Sequence, residues 1–168
     1  MTTLAAAPIV SHDFDFMVGR WNVKNRFLNG RLRGSHLWIE FDATYEFELL
    51  LNGLGNIDHF HAGREGRAIE GITLRLWDPS TAVWTLYWAD NVRPGQFFPP
   101  MVGSFNGDVG EFFGREEVDG RPVRCRFLWY RDAVNPRWEQ AFSDDDGKTW
   151  ETNWIMNFTR VVEQETER

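Results

Sequence analysis

Cysteine is almost absent from this 168-residue chain, where Cys125 stands alone. One thiol forms no intrachain disulfide and no cysteine-based metal cluster. Lysine is nearly as scarce: of 18 basic residues only Lys24 and Lys148 are lysine, and the rest are arginine. Arginine stacks on rings and forks onto oxyanions better than lysine, which suits strand faces or anionic ligand groups. An excess of positive charge is missing too. The formal charge of −7 argues against a nucleic-acid partner, because phosphate-backbone binding needs clustered Lys and Arg. No apolar run approaches the roughly 20 residues that span a bilayer, so membrane insertion is not expected. Residues Met1 to Pro8 lack the basic start and long apolar core of a signal peptide, and the expected location is cytoplasmic. No serine nucleophile elbow, Walker loop or Gly-x-Gly-x-x-Gly occurs. Gly53-Leu54-Gly55 opens no helix, which disfavours dinucleotide binding.

Aromatic side chains are abundant. They make up 15% of the chain, with nine Trp, and 42% of residues are hydrophobic, far too apolar for a disordered segment. The length fits one domain, expected over residues 11–162 between tails at 1–10 and 163–168. Ser11 is placed to cap a single helical turn over 12–17, and no other stretch shows a helical period. A strand over about 19–28 is expected to turn at Asn29-Gly30, a dipeptide suited to a type I′ hairpin. Ile39, Phe41, Ala43, Tyr45, Phe47 and Leu49 alternate with Glu40, Asp42, Thr44, Glu46 and Glu48. That period of two predicts a half-buried antiparallel strand with the odd residues facing the core.

Short strands come next at 56–61, 71–77 and 83–90, with a polar loop at 62–68 and a turn at Asp78-Pro79-Ser80-Thr81. Five more runs lie at 101–105, 110–115, 123–130, 137–142 and 150–160, separated by turn chemistry such as Asp119-Gly120. Ten consecutive hairpin-linked strands without βαβ spacing predict an all-β, single antiparallel up-and-down barrel. The Pro-rich connection 93–100 carries Phe97 and Phe98 and reads either as a lid at the barrel mouth or as an ordered surface crossover.

The stretch Asp13 to Trp21 is expected to close one end of that barrel. The turn plugs the base, Gly19 permits close backbone approach and Trp21 fills the bottom of the interior. Arg160, near the end of the last strand, is expected to lie across the Trp21 indole by cation–π contact. This Trp21–Arg160 pairing resembles the calycin superfamily, the lipocalins and their relatives. The chain is more closely similar to the bacterial DUF1579-like family, on Phe14 to Trp21, Gly55 to Asp58, Leu74 to Pro79, Tyr87 to Asp90, Arg137 to Ser143 and Thr149 to Trp154. The resemblance implies a calycin-like fold and no particular chemistry. The wider superfamily mostly binds small hydrophobic molecules, and a few members are cofactor-free isomerases, cyclases or decarboxylases.

Several segments are candidates for chemistry. Ser143 to Trp150 fits Ser-x-Asp-x-Gly-x-Thr-Trp, which resembles the Asp-box hairpin of sialidase-type propellers. One copy, where a propeller needs one per blade, reads as a structural turn. His59-Phe60-His61 sets two imidazoles on one strand face, and a metal there needs a third ligand from another strand, for which His36 is a candidate that nothing in the sequence places nearby. Solvated strand-end histidines are the commoner outcome. Nitrobindin-type barrels, which share only Gly-x-Trp with this chain, bind haem, but no cofactor is expected here. Asp90 ends an aromatic strand face with Trp84 and Trp88, either as a rim acid or base or as a cap for residues 91–95. Gln140 lies between Trp138 and Phe142 on one face, and a buried amide needs partners. Cys125, in line with Val123, Phe127 and Trp129, reads as a small buried hydrophobe.

The favoured reading is a barrel that binds a small hydrophobic or aromatic molecule in an aromatic-lined cavity. Phe41, Tyr45, Trp84, Trp88, Asp90, Phe127, Trp129, Trp138, Gln140 and Trp154 are the expected contacts. The alternative is a cofactor-independent isomerase, cyclase or lyase using Asp90 or His59 as general base. A third possibility is a barrel filled by its own aromatics. Homodimerisation is expected only from the commonness of two-fold assemblies.

Overall fold

Alternating inward and outward side chains close into one antiparallel sheet. The computed structural model describes residues 9–162. A 3-10 turn (Asp15–Met17) leads into β1 (Gly19–Asn29), β2 (Leu37–Leu50) and a second 3-10 turn (Leu51–Gly53). Beyond it lie β3 (Gly55–Arg64), β4 (Arg67–Asp78), β5 (Val83–Asp90), β6 (Met101–Asn106) and β7 (Val109–Val118). β8 (Arg121–Tyr130), β9 (Arg137–Ser143) and β10 (Glu151–Arg160) complete the wall. Each strand pairs with its sequence neighbours and β1 pairs with β10, so the barrel is closed and up-and-down, as the hairpin spacing predicts. Closure removes the free edges that an open sheet would present. Among the described residues no helix is long and apolar enough to cross a membrane.

Even-numbered connections, such as β2–β3 and β8–β9, lie at one end of an up-and-down barrel, and the segment before β1 joins them there. Phe14 inserts into that end, 1% exposed. Its ring meets Trp84 at 5.2 Å, Phe105 at 5.1 Å and Trp129 at 5.8 Å, all edge-on, the geometry that aromatic quadrupoles favour. Asp13 ties the plug to the wall: its carboxylate accepts the Trp84 indole N–H at 3.1 Å, and its carbonyl accepts Arg131 Nη2 at 3.1 Å. The Trp21 indole N–H donates back to the Met17 carbonyl at 2.8 Å.

The clasp expected between first and last strands is present. Trp21 is the register partner of Arg160, and the Arg160 guanidinium lies 4.1 Å over the indole. Its Nη1 donates to the Val18 carbonyl at 2.7 Å and Nη2 to the Phe16 carbonyl at 3.1 Å. Gly19 adopts φ +120°, and a Cβ there would sit 2.7 Å from Arg160 Nη1, so glycine serves both backbone conformation and clearance. Outside, Lys24–Asp42 and Arg26–Glu40 face each other across β1 and β2. Such exposed pairs mark the register but stabilise little.

Local details depart from the sequence reading. β1 does not turn at Asn29-Gly30. Asn29 still pairs with Leu37, and the chain needs residues 30–36 to reverse. The polar loop foreseen at 62–68 is strand as far as Arg64, then a two-residue turn with Glu65 at φ 51° and Gly66 at φ 77°. These are the paired positive φ values of a type I′ hairpin. The helical turn is shorter than residues 12–17 and is preceded by Phe14, with no side-chain cap; Ser11 Oγ instead accepts the Asp13 amide at 3.2 Å. In β2 the odd residues face inward only as far as Phe47, because Leu49 is exposed. The expected N-terminal tail, apart from Ile9 and Val10, and the C-terminal tail at 163–168 lie outside the described residues. The Ile9 carbonyl accepts the Trp77 indole N–H at 3.1 Å.

Replacing Arg160 by Ala strips the indole of its cation and two carbonyls of their donor, and is expected to cost about 1–2 kcal/mol. Arg160→Lys recovers only part, since an ammonium cannot fork onto both carbonyls. The urea midpoint should fall at constant m-value; an unchanged midpoint in Arg160→Ala would show that the clasp contributes nothing.

Candidate functional site

Two strands invert the usual order of apolar inside and polar outside. In β3, Asn56 and Asp58 are fully buried while Ile57 is only partly so; in β4, Thr73 and Arg75 point inward between Ile72, Leu74 and Leu76. Register sets Asp58 opposite Thr73. One Asp58 oxygen accepts the Thr73 amide at 3.1 Å, and the other accepts the Tyr45 hydroxyl at 2.5 Å and Arg75 Nη2 at 2.6 Å. Arg75 Nη1 reaches Asn56 Oδ1 at 3.2 Å. The guanidinium also lies 5.1 Å over Phe14, 5.2 Å over Phe47 and 5.5 Å over Trp129. A buried charge is tolerated only when paired and hydrogen-bonded, and this one is held on both counts. The network seals the plug from above and lays a polar floor across the barrel.

Above that floor the barrel is hollow. A cavity of about 350 Å³ rises from Tyr45, Arg75, Leu86 and Trp129 towards the other end. Its wall is a belt of edge-to-face rings. Phe127 meets Trp138 at 4.9 Å, Trp138 meets Trp154 at 5.5 Å, Trp154 meets Phe60 at 6.1 Å, and Phe60 meets Trp88 at 6.0 Å. These rings come from β8, β9, β10, β3 and β5, so the belt runs around the barrel's circumference. Gly71 makes it fit: a Cβ there would lie 2.1 Å from the Trp88 ring. Two polar tips of the belt find partners inside the wall, though the Nδ2 groups of those partners, Asn25 and Asn153, are buried without one. Trp154 donates to Asn25 Oδ1 at 3.0 Å, and Gln140 Nε2 donates to Asn153 Oδ1 at 2.8 Å.

The mouth opens where β5 and β6 part. Their ladder holds only from Trp84–Gly103 to Leu86–Met101, because Pro99 and Pro100 have no amide hydrogen to extend it. The connection then runs beside the opening. Phe98 donates its amide to the Trp88 carbonyl at 2.8 Å and, with Pro99, lines the cavity; Phe97 turns outward onto Tyr87. Of the two phenyl groups in this connection, only Phe97 is exposed. Arg31, Arg64, Arg93 and Arg115 also line the cavity, together with Asp90, Glu116 and Glu117.

Of the residues expected to contact a ligand, Tyr45, Trp88, Asp90, Phe127, Trp129, Trp138, Gln140 and Trp154 line the cavity. Phe41 and Trp84 do not. Trp84 belongs to the plug below the floor, and Phe41 sits on the wall beneath Arg64. His59 and His61 are exposed on the outer face of β3. A base on that face cannot reach a proton inside the barrel, so His59 is not the cavity's general base. Among the described residues no group of three or more His, Cys, Asp or Glu is gathered as a metal site. Asp90 performs the capping role: Oδ1 accepts the Val92 and Arg93 amides at 3.0 and 2.9 Å, and Oδ2 accepts the Trp88 indole N–H at 2.8 Å. The Ser143–Trp150 loop is a built turn. Asp145 accepts the Thr149 amide and hydroxyl and the Ser143 hydroxyl, which hold its carboxyl well below the usual range.

Arg75, Asp58 and the mouth arginines were not assigned to the site by their sequence context. Burial is the largest influence on Arg75 and lowers its pKa, but Tyr45 and Asp58 outweigh it and the group titrates above its usual value. Burial raises Tyr45 well above its ordinary 10.0, with Asp58 adding and Arg75 opposing. Burial also raises the Cys125 thiol above its ordinary 9.0.

Removing one partner of the floor pair, as in Arg75→Met, should cost about 3–5 kcal/mol, and adding Asp58→Asn should recover part of it; a double variant worse than the single would contradict the pairing. Alkaline stability depends on the raised acids, which hold their protons more tightly folded than unfolded. Stability is therefore complete below pH 9.0, begins to fall as the unfolded Cys125 ionises and falls faster beyond 10.0 as Tyr45 joins. The slope is about 1.4 kcal/mol per pH unit for each group. Denaturant titrations from pH 8 to 11 should show Cys125→Ala delaying the onset towards pH 10; an onset unmoved by that change would contradict the assignment. No protein-family model matches the sequence, and no curated protein matches it at a significant level.

Proposed function

We propose that this chain takes up a small apolar or aromatic molecule in the upper half of its barrel. The observation that carries this reading is the cavity of about 350 Å³, open at its mouth and walled by the aromatic belt, at the small end of the roughly 300–1,000 Å³ usual for ligand sites. Burial drives binding, at about 25 cal/mol per Å² of apolar surface removed from water. Edge-to-face rings already in contact need little rearrangement, so the wall is preorganised. Asp90 and Gln140 contribute polar edges, and the 93–99 connection lies beside the opening that a ligand would pass. The engagement of Asp90 with two amides and an indole suits orientation better than proton abstraction.

Membership of the DUF1579-like family within the calycin superfamily is part of the same proposal. It is supported by the closed ten-strand barrel, the plugged base and the Trp21–Arg160 clasp.

Titration with neutral aromatic probes such as naphthalene and 2-naphthol should shift or quench intrinsic tryptophan fluorescence, since Trp88, Trp138 and Trp154 line the cavity. Cys125→Phe projects a ring into that space and should weaken binding at least about tenfold, as expected when a filled site leaves no surface to bury. Absence of any response in the wild type, with no small molecule retained by freshly purified protein in native mass spectrometry, would overturn the proposal.

A further inference from the structure

Arg31, in the β1–β2 connection, and Arg64, the last residue of β3, arrive at the mouth and meet at one ring. The Arg31 guanidinium lies 4.9 Å from the Phe27 centroid, and that of Arg64 lies 4.4 Å from it. Arg31 also lies 5.1 Å over Phe142. Phe27 in turn packs edge-on against Trp154 of the belt, at 5.5 Å. Both guanidiniums line the cavity. Among the described residues neither makes a hydrogen bond or an ion pair.

Of the remaining mouth charges, Arg93, Glu116 and Asp90 are engaged, while among the described residues the side chains of Arg115 and Glu117, which also line the cavity, make no hydrogen bond or ion pair. Arg93 lies over Phe98 at 3.5 Å and 3.8 Å from Glu116, and Glu116 accepts the Glu117 amide at 3.0 Å. Asp90 is taken by two amides and an indole. Two like charges held at one aromatic ring, partly buried and with no carboxylate at ion-pair distance, repel each other and forgo hydration. Cation–π contact with shared rings offsets only part of that. Burial lowers the Arg31 pKa, Glu116 opposes this and Arg64 adds to it.

We propose that the mouth binds the carboxylate of an amphipathic monoanion between Arg31 and Arg64, with the apolar part of the same molecule packed inside the aromatic belt. The inference rests on the uptake reading and specifies its ligand class. A monoanion is the charge that balances the mouth, where Arg31, Arg64, Arg93 and Arg115 face only Asp90, Glu116 and Glu117. The planar fork of arginine matches a carboxylate edge, which lysine would not. The wet mouth and apolar interior set the polarity order of the ligand: charged head outermost, rings or chain within.

Calorimetry with 2-naphthoate and its neutral isostere 2-naphthamide tests this on the intact protein. Wild type should bind the carboxylate at least about tenfold tighter, in line with charge-assisted hydrogen bonding, and the preference should shrink as salt rises. Arg31→Gln with Arg64→Gln should abolish the preference while leaving affinity for the amide within about twofold, because the removed charges touch only the head. Equal binding of both probes by the wild type, or a preference that survives the double substitution, would overturn the anion site and leave uptake standing. Failure of both probes to bind would defeat the uptake reading itself, a different result from losing the preference.

Discussion

The contact on which the rest depends is the meeting of β1 and β10 at the barrel's base. A cylinder of strands has no use for its own ends unless they are joined, and here the first strand finds the last through Trp21 and Arg160. The same guanidinium grips two carbonyls of the preceding turn. Closing the wall and seating the plug are therefore one event. The turn that delivers Phe14 to the centre of the base is held by Arg160 as well as by the Trp21 indole and the Asp13 contacts.

Once the plug is in place the interior divides. Below, Phe14, Phe47, Trp84, Phe112 and Trp129 fill the space, and the Arg75–Asp58–Tyr45 network caps them. Above, the wall is as aromatic but the rings lie against the wall and one another, leaving the centre open. The division explains how one short chain carries nine Trp without filling itself. Some of the indoles are structural, and others line a container.

Architecture was legible in the sequence because period-two alternation and turn residues are local signals. Glu40 to Glu48 announced the outer face of β2, and the Ser143–Trp150 loop formed the turn its residues describe. The clasp was legible through Gly19, Trp21 and Arg160. What alternation could not show is an inverted face. In β4 the apolar residues Ile72, Leu74 and Leu76 look like the inner row, yet Thr73 and Arg75 face inward. Only register across β3 reveals that Asp58 awaits them. The mouth arginines were hidden for a related reason: Arg31 and Arg64 are far apart in sequence and meet only through the ring of Phe27. The excess of arginine over lysine hinted at such stacked and oxyanion-facing roles but not at their place.

The central claim is that the upper half of the barrel is an open apolar space, walled by aromatic rings and floored by an ion pair. Diffraction from crystals held under xenon pressure tests it most directly, since xenon enters apolar cavities and marks them. The account predicts a xenon atom within the belt of Phe60, Phe127, Trp138 and Trp154, above Arg75. An interior in which those rings have closed onto one another, with no xenon between them, would contradict it.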